Sequence, residues 1–151
     1  MATNPPTTRV RMSHALTIRA NGQTVGLIQK FQPAPQTRPL AHVYELNTTT
    51  SGEPVDIAPG NVGGLSLNID RYDLYTSKME TAFGTADFTM LSDQTDKFQC
   101  REVWRNPNGS IETYIYLECL FESLGRQFQS TGDRIVMVNA VMKYLKKVRS
   151  T

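Results

Sequence analysis

The side chains able to do chemistry are few and scattered in this 151-residue chain. The only two histidines, His14 and His42, stand alone, with no second histidine or cysteine at metal-ligand spacing. Cys100 and Cys119 are the only cysteines, too few for a disulfide scaffold and spaced for no zinc motif. Asp70 with Asp73 and Glu118 with Glu122 are carboxylate pairs; the first fits helix capping and the second one strand face. Asp87, Asp93 and Asp96 lie in an acidic stretch that lacks the spacing of a calcium loop. Gly60, Gly63 and Gly64 lead into a strand rather than a helix, so they form no phosphate cradle. There is no GxSxG and no P-loop. The expectation is a protein without catalytic residues, metal site or cofactor. Tyr114 and Tyr116, with Arg101 beside them, offer a weak platform for single-stranded nucleic acid, opposed by Glu112 and Glu118.

The elements that carry these residues read as mainly β. Leu16, Ile18 and Ala20 alternate with polar neighbours before Asn21-Gly22, a type I′ turn signal, so residues 15–31 form a hairpin. A proline-rich connector, FQPAPQTRP, precedes a strand over 40–46 and a polar loop over 47–54. Leu65, Leu67 and Ile69 alternate in the next strand. The period then changes: Tyr72, Tyr75, Met79, Ala82 and Phe83 recur at helical spacing. This predicts one helix over about 71–83, started by Asp70 and stopped by Gly84 at C′. Residues 85–97 read as loop with a short strand.

The last third is a long hairpin, FQCREVW and SIETYIYLECLFESL around RNPNG, followed by a closing strand. With Asn108-Gly109 as a two-residue turn, opposing positions sum to 217. Cys100 then meets Leu117 and Phe98 meets Cys119 on a buried face, with the thiols diagonal at about 7–8 Å between Cα atoms. That is too far for an easy bridge, so both are expected as reduced core thiols. Gln99, Arg101, Glu112 and Glu118 share the other, charged face. A bulge at the turn would shift every pair. In the closing strand, Ile135, Met137 and Val141 lie on one face and Val136, Val138, Ala140, Met142 and Tyr144 on the other. Two apolar faces in one antiparallel strand ask for cover from outside the monomer.

One domain is expected over 14–151, with residues 1–13 a flexible or docking arm. The net charge of +2 is weak, and its mild basic clusters lie at the chain ends. No N-terminal apolar stretch or membrane-length segment occurs, which predicts a soluble product of a cytoplasm.

The order of features resembles the tail tube proteins of contractile-tailed bacteriophages. The stretches that carry it are IAPGNVGGLSLNIDRYDLYTSKMETAFG and FQCREVWRNPNGSIETYIYLECLFESLGRQFQSTGDRIVMVNAVMKYL, and the likeness covers most of 14–147. It implies an antiparallel β-sandwich or flattened barrel with one flanking helix, six copies to a ring, and rings stacked into a hollow tube that conducts DNA. The implied partners are other copies of the chain, a tail sheath, baseplate and tail terminator proteins, with no membrane; the implied location is a virion tail. Type VI secretion tube proteins are near relatives, so a secretion or extracellular injection tube carrying an effector is the alternative. A small β-barrel binding a ligand is the alternative of another class. Carried onto this sequence, Gln99, Arg101, Glu112 and Glu118 would line the lumen. Val136, Val138, Met142 and Tyr144 would meet a neighbouring subunit or the flanking helix. Arg9, Arg11, Thr48, Thr49 and Glu53, in the arm and the polar loop, would reach adjacent rings.

Overall fold

The computed structural model describes residues 10–12, 15–49, 51–85, 88–130, 132 and 134–150. Ten strands are described: β1 (Leu16–Ala20), β2 (Gln23–Thr24), β3 (Ile28–Pro33), β4 (Leu40–Val43), β5 (Asp56–Pro59), β6 (Ser66–Tyr72), β7 (Phe98–Arg105), β8 (Ile111–Gln127), β9 (Met137–Lys143) and β10 (Lys146–Ser150). One short helix, α1 (Met79–Ala82), lies between β6 and β7. This is the mainly β, antiparallel sandwich that the sequence predicts.

The 17-residue β8 is the hinge of the architecture. Its first half pairs with β7 on one side and β10 on the other, and its second half pairs with β9. The strand switches layers at a bulge, where Glu118 takes φ +54°, in the manner of a sandwich corner. Sheet A is therefore β2-β1-β7-β8-β10, and sheet B is β8-β9-β6-β3. Between them lie Ile18, Ala20, Leu67, Ile69, Phe98, Cys100, Tyr116, Cys119, Phe121, Val138, Ala140 and Met142, capped at one end by Met79 and Phe83.

The β7–β8 turn differs from expectation by one residue. Asn106 N–H donates to Ser110 O at 2.9 Å and Gly109 N–H to Asn106 O at 2.9 Å, with Gly109 at φ +88°. This is a three-residue loop ending in a left-handed glycine. Pairs now sum to 216: Cys100 meets Tyr116, Arg101 meets Ile115, and Trp104 meets Glu112. The bulge at Glu118 absorbs the offset, so Phe98 still meets Cys119. The slip moves Glu112, Tyr114 and Tyr116 to the inner face and Thr113, Ile115 and Leu117 to the outer face. The platform of Tyr114, Tyr116 and Arg101 is thereby undone, since Tyr116 is fully buried. Cys100 and Cys119 are buried and free, as the sequence predicts.

Three further expectations are corrected. The helix spans only Met79–Ala82, not 71–83. Residues up to Tyr72 stay in β6 because both its edges find partners, β3 and β9, and Tyr75 is fully exposed. Asp70 lies in a strand and caps nothing, while Gly84 does close the helix, at φ +86°, by donating to Thr81 O. Residues 88–97 carry a 3-10 turn, Leu91–Asp93, and no strand. The closing strand is not greasy on both sides. Val138 and Met142 are 0% exposed and Tyr144 5%, all enclosed by their own chain, so these three are core rather than subunit contacts. The opposite face alternates half-buried Met137 and Val141 with exposed Asn139 and Lys143. Val136 is half-buried ahead of β9.

Arg71 holds the layers to the helix. It is 2% exposed; its Nε donates to Gly26 O at 3.0 Å, and its terminal nitrogens donate to Ser77 O at 3.1 Å and Ser77 Oγ at 3.2 Å. Burial pushes its pKa down, and Asp73 opposes that shift.

Candidate functional site

Surfaces, rather than a pocket, distinguish this molecule. Residues facing one another across a ladder share a face, which fixes what each sheet shows outward. On sheet A the outward positions are Thr17 and Arg19 of β1, Gln99, Arg101, Val103 and Arg105 of β7, Ile111, Thr113, Ile115 and Leu117 of β8, and Lys146, Val148 and Ser150 of β10. Four of these are cations, Arg19, Arg101, Arg105 and Lys146, all exposed, and none is a carboxylate. Arg19 stands directly opposite Arg101. Among the described residues none of the four has an ion pair; Arg19 donates to Gly22 O at 3.1 Å. Glu118, in the bulge, pairs instead with Lys97 at 3.8 Å.

Sheet B shows a balanced face. Lys30 faces Asp70, Gln32 faces Asn68, and Asn139 donates to both Asn68 and Asp70. Lys143 pairs with Glu122 at 3.4 Å. The two sheet faces therefore differ in kind, one basic with aliphatic residues between the charges, the other neutral and rich in amides.

The third surface is a hairpin standing apart from both sheets. β4 and β5 pair only with each other, Leu40 with Pro59 through Val43 with Asp56. All eight of their residues are exposed. Its base is zipped: Thr37 and Gly63 exchange backbone bonds of 3.0 and 2.6 Å, and Gly60 N–H donates to Pro39 O at 2.7 Å. Gly64, at φ +75°, lies where a Cβ would sit 2.2 Å from Pro35 O, so only glycine fits. Between Pro39 and Asp70 the only charged groups are the carboxylates Glu45, Glu53 and Asp56. Val43, Tyr44 (60% exposed), Leu46, Val55 and Ile57 present apolar surface around them.

A fourth cluster clamps the two ends of the chain. Glu112 accepts from Arg11 at 2.9 Å, from Arg149 of β10 at 3.0 Å and from the Tyr114 hydroxyl. The Tyr114 hydrogen bond first, then the two arginines, hold its carboxyl below the usual carboxylate range, while Tyr114 is raised. Arg11 also lies 4.6 Å over Trp104, and Lys147 lies 4.7 Å over Tyr114. Next to it, buried Glu102 accepts from Trp104 Nε1 at 2.8 Å and from the Tyr116 hydroxyl at 3.2 Å.

Of the four residues predicted to line a lumen, Gln99 and Arg101 share the outer face of sheet A, Glu118 is exposed in the bulge, and Glu112 lies on the inner face. They form no single surface. Of those predicted to reach adjacent rings, Thr48, Thr49 and Glu53 are exposed at the tip of the hairpin. Arg11 is engaged with its own chain, and Arg9 lies outside the described residues, as does Asp87. Among the described residues no cluster of three metal-ligating side chains occurs, and no helix is long and apolar enough to cross a membrane. An open cleft beside α1, walled by Phe88, Leu91 and Leu124, is crossed by the Arg126–Asp73 ion pair at 3.1 Å. Sequence reasoning missed the basic face because its members come from three strands far apart in the chain. Lys146, in β10, belongs to the basic cluster at one chain end, where no alternating pattern marks a strand.

No family model and no curated protein matches this chain. Solved structures do. A chain of the sheath/tube terminator of the extracellular contractile injection system PVC, in its extended state, superposes with a TM-score of 0.72 at 10% identity, over 99% of this chain and 100% of that one. This chain has the fold of contractile-system tube proteins. The PVC sheath–tube complex gives 0.67 at 12% identity, over 96% of this chain and 94% of that one. The tail tube of SPP1 gives 0.51 at 12% identity, over 92% and 78%. At these identities the likeness is one of fold, and it extends over nearly the whole chain.

Proposed function

We propose that the protein is a structural subunit of a hollow tube, assembled from stacked six-membered rings inside a contractile tail or injection particle. One observation carries this reading: the end-to-end match to chains of sheath–tube and tube-terminator assemblies. Fold alone does not dictate function, but the surfaces agree with it. A solitary molecule gains nothing from an exposed two-stranded hairpin, which is marginal without cover. Thr48, Thr49 and Glu53 at its tip reach an adjacent ring in this reading, and sheath, baseplate and terminator proteins are the further partners.

The charge contrast bears on the lumen. A channel wall must let its cargo slide, and each neutralised phosphate adds affinity for DNA. A ring of basic sheet A faces would hold a genome, whereas the neutral, amide-rich face of sheet B would not. Sheet B is thus the better inner wall, in place of Gln99, Arg101, Glu112 and Glu118. The lumen argument applies to the phage reading, with DNA as the cargo; the alternative reading is an injection-system tube with a protein cargo, for which the PVC chains are the structural parallel. The test is negative-stain electron microscopy with sedimentation velocity of the purified full chain. Rings or tubes are expected; a strict monomer at high concentration refutes the proposal.

A further inference from the structure

Two of the surfaces are unfinished in opposite senses. Like charges directly opposite in a sheet are destabilising, yet Arg19 faces Arg101, with Arg105 and Lys146 on the same face and no carboxylate among them. Half-buried Val103, Ile115, Leu117 and Val148 lie between these cations. A face of arginines over aliphatic side chains has the composition of a protein contact. It lacks what single-stranded nucleic acid needs, because Trp104, Tyr114 and Tyr116 all turn inward and leave no ring to stack on.

The hairpin is the counterpart. It carries three carboxylates, Glu45, Glu53 and Asp56, no lysine or arginine, and exposed Val43, Tyr44, Leu46, Val55 and Ile57. Its strands pack substantially only on each other, so within one chain the two surfaces do not satisfy one another. The neutral face of sheet B offers these carboxylates no net attraction. We propose that the hairpin of one copy seats on the outer face of sheet A of another copy. Glu45, Glu53 and Asp56 then meet Arg19, Arg101, Arg105 and Lys146 around a shared aliphatic contact. The contact is head-to-tail, so repetition gives closed rings or stacked ones. Solvent-exposed charge pairs are screened by salt, and the contact is accordingly salt-sensitive. The inference rests on the tube reading and supplies the chemistry of one of its interfaces.

The experiment uses the full chain in four samples: wild type, the face variant Arg19→Glu/Arg101→Glu, the hairpin variant Glu53→Lys/Asp56→Lys, and an equimolar mixture of the two variants. All substituted positions are exposed, and circular dichroism checks that both variants fold. Sedimentation velocity then reads assembly at low and at high salt. Wild type is expected to assemble at low salt, and each variant alone to need at least roughly tenfold more protein, since like-charge juxtaposition disfavours docking. The mixture is expected to assemble again, because each variant's hairpin is complementary to the other's face. If wild type assembles and either variant does so equally well, the docking is wrong and the tube reading stands. If both variants fail and the mixture fails too, the surfaces matter but do not meet, and the proposal is overturned. Should wild type stay monomeric, the tube reading falls and takes this inference with it. A 20-base-pair duplex bound by wild type and released by the face variant would instead make the face a nucleic-acid surface.

Discussion

Replacing Arg71 by methionine tests whether a buried cation holds the sandwich together. The guanidinium makes three hydrogen bonds, one to Gly26 O and two to Ser77. It ties β6 to the turn before β3 and to the segment entering α1. Hydrogen bonds to charged groups contribute about 1.5–3 kcal/mol each, so the gross loss is of order 6 kcal/mol. Against this stands the desolvation of the guanidinium, several kcal/mol for a buried ion, whose direction is visible in its lowered pKa. Methionine recovers part of the packing, but it leaves two carbonyls and a hydroxyl without their donor, at about 1–3 kcal/mol for each group that water cannot reach. The net expectation is a loss of about 3 kcal/mol, or roughly 6–12 °C in Tm for a chain of this size. Urea unfolding followed by the fluorescence of Trp104 and by circular dichroism gives the number. An Arg71→Met protein as stable as wild type, with an unchanged denaturant slope, would refute the argument and show that desolvation cancels the bonds.

Two further outcomes are expected. The folded-state pKa of Glu112 is depressed, so its contribution to stability is full above the ordinary carboxylate range and is lost as pH falls through the folded value; Glu112→Gln should flatten the acid limb of a stability–pH curve, and an unchanged acid limb would remove the clamp of Arg11 and Arg149. Burial pushes the Cys119 thiol up to about 12 and raises Cys100 as well, so a thiol reagent at neutral pH should modify neither at an appreciable rate until urea opens the fold. Rapid labelling of the native protein would contradict the buried positions of both.

Much of this fold is written locally. Asn21 and Gly22, at φ +51° and +75°, make the type I′ turn that their types predict. The alternation of Leu67, Ile69 and Arg71 sets the inner face of β6. Gly84 closes a helix because it alone there tolerates a left-handed backbone. These features depend on a residue and its near neighbours, so pattern reading reaches them. The order of strands behind the resemblance to tube proteins is legible in the same way.

What sequence could not decide was which side chain faces which. One residue more in the turn at Asn106–Ser110 inverted the facing of half of β8, sending Glu112, Tyr114 and Tyr116 inward. The bulge at Glu118 then reset the register for Phe98 and Cys119. The helix shrank to Met79–Ala82 because β3 and β9 offered Tyr72 and its neighbours sheet partners, which local periodicity cannot see. Val138 and Met142, apparently surplus, became core once β8 bent between two sheets and enclosed them. The basic face gathers Arg19, Arg101, Arg105 and Lys146 from β1, β7 and β10. Strand pairing has a period of two, and its register is set by turns and bulges of a single residue. Composition and spacing therefore fix the class of the fold, while only the folded backbone assigns each charge to a surface.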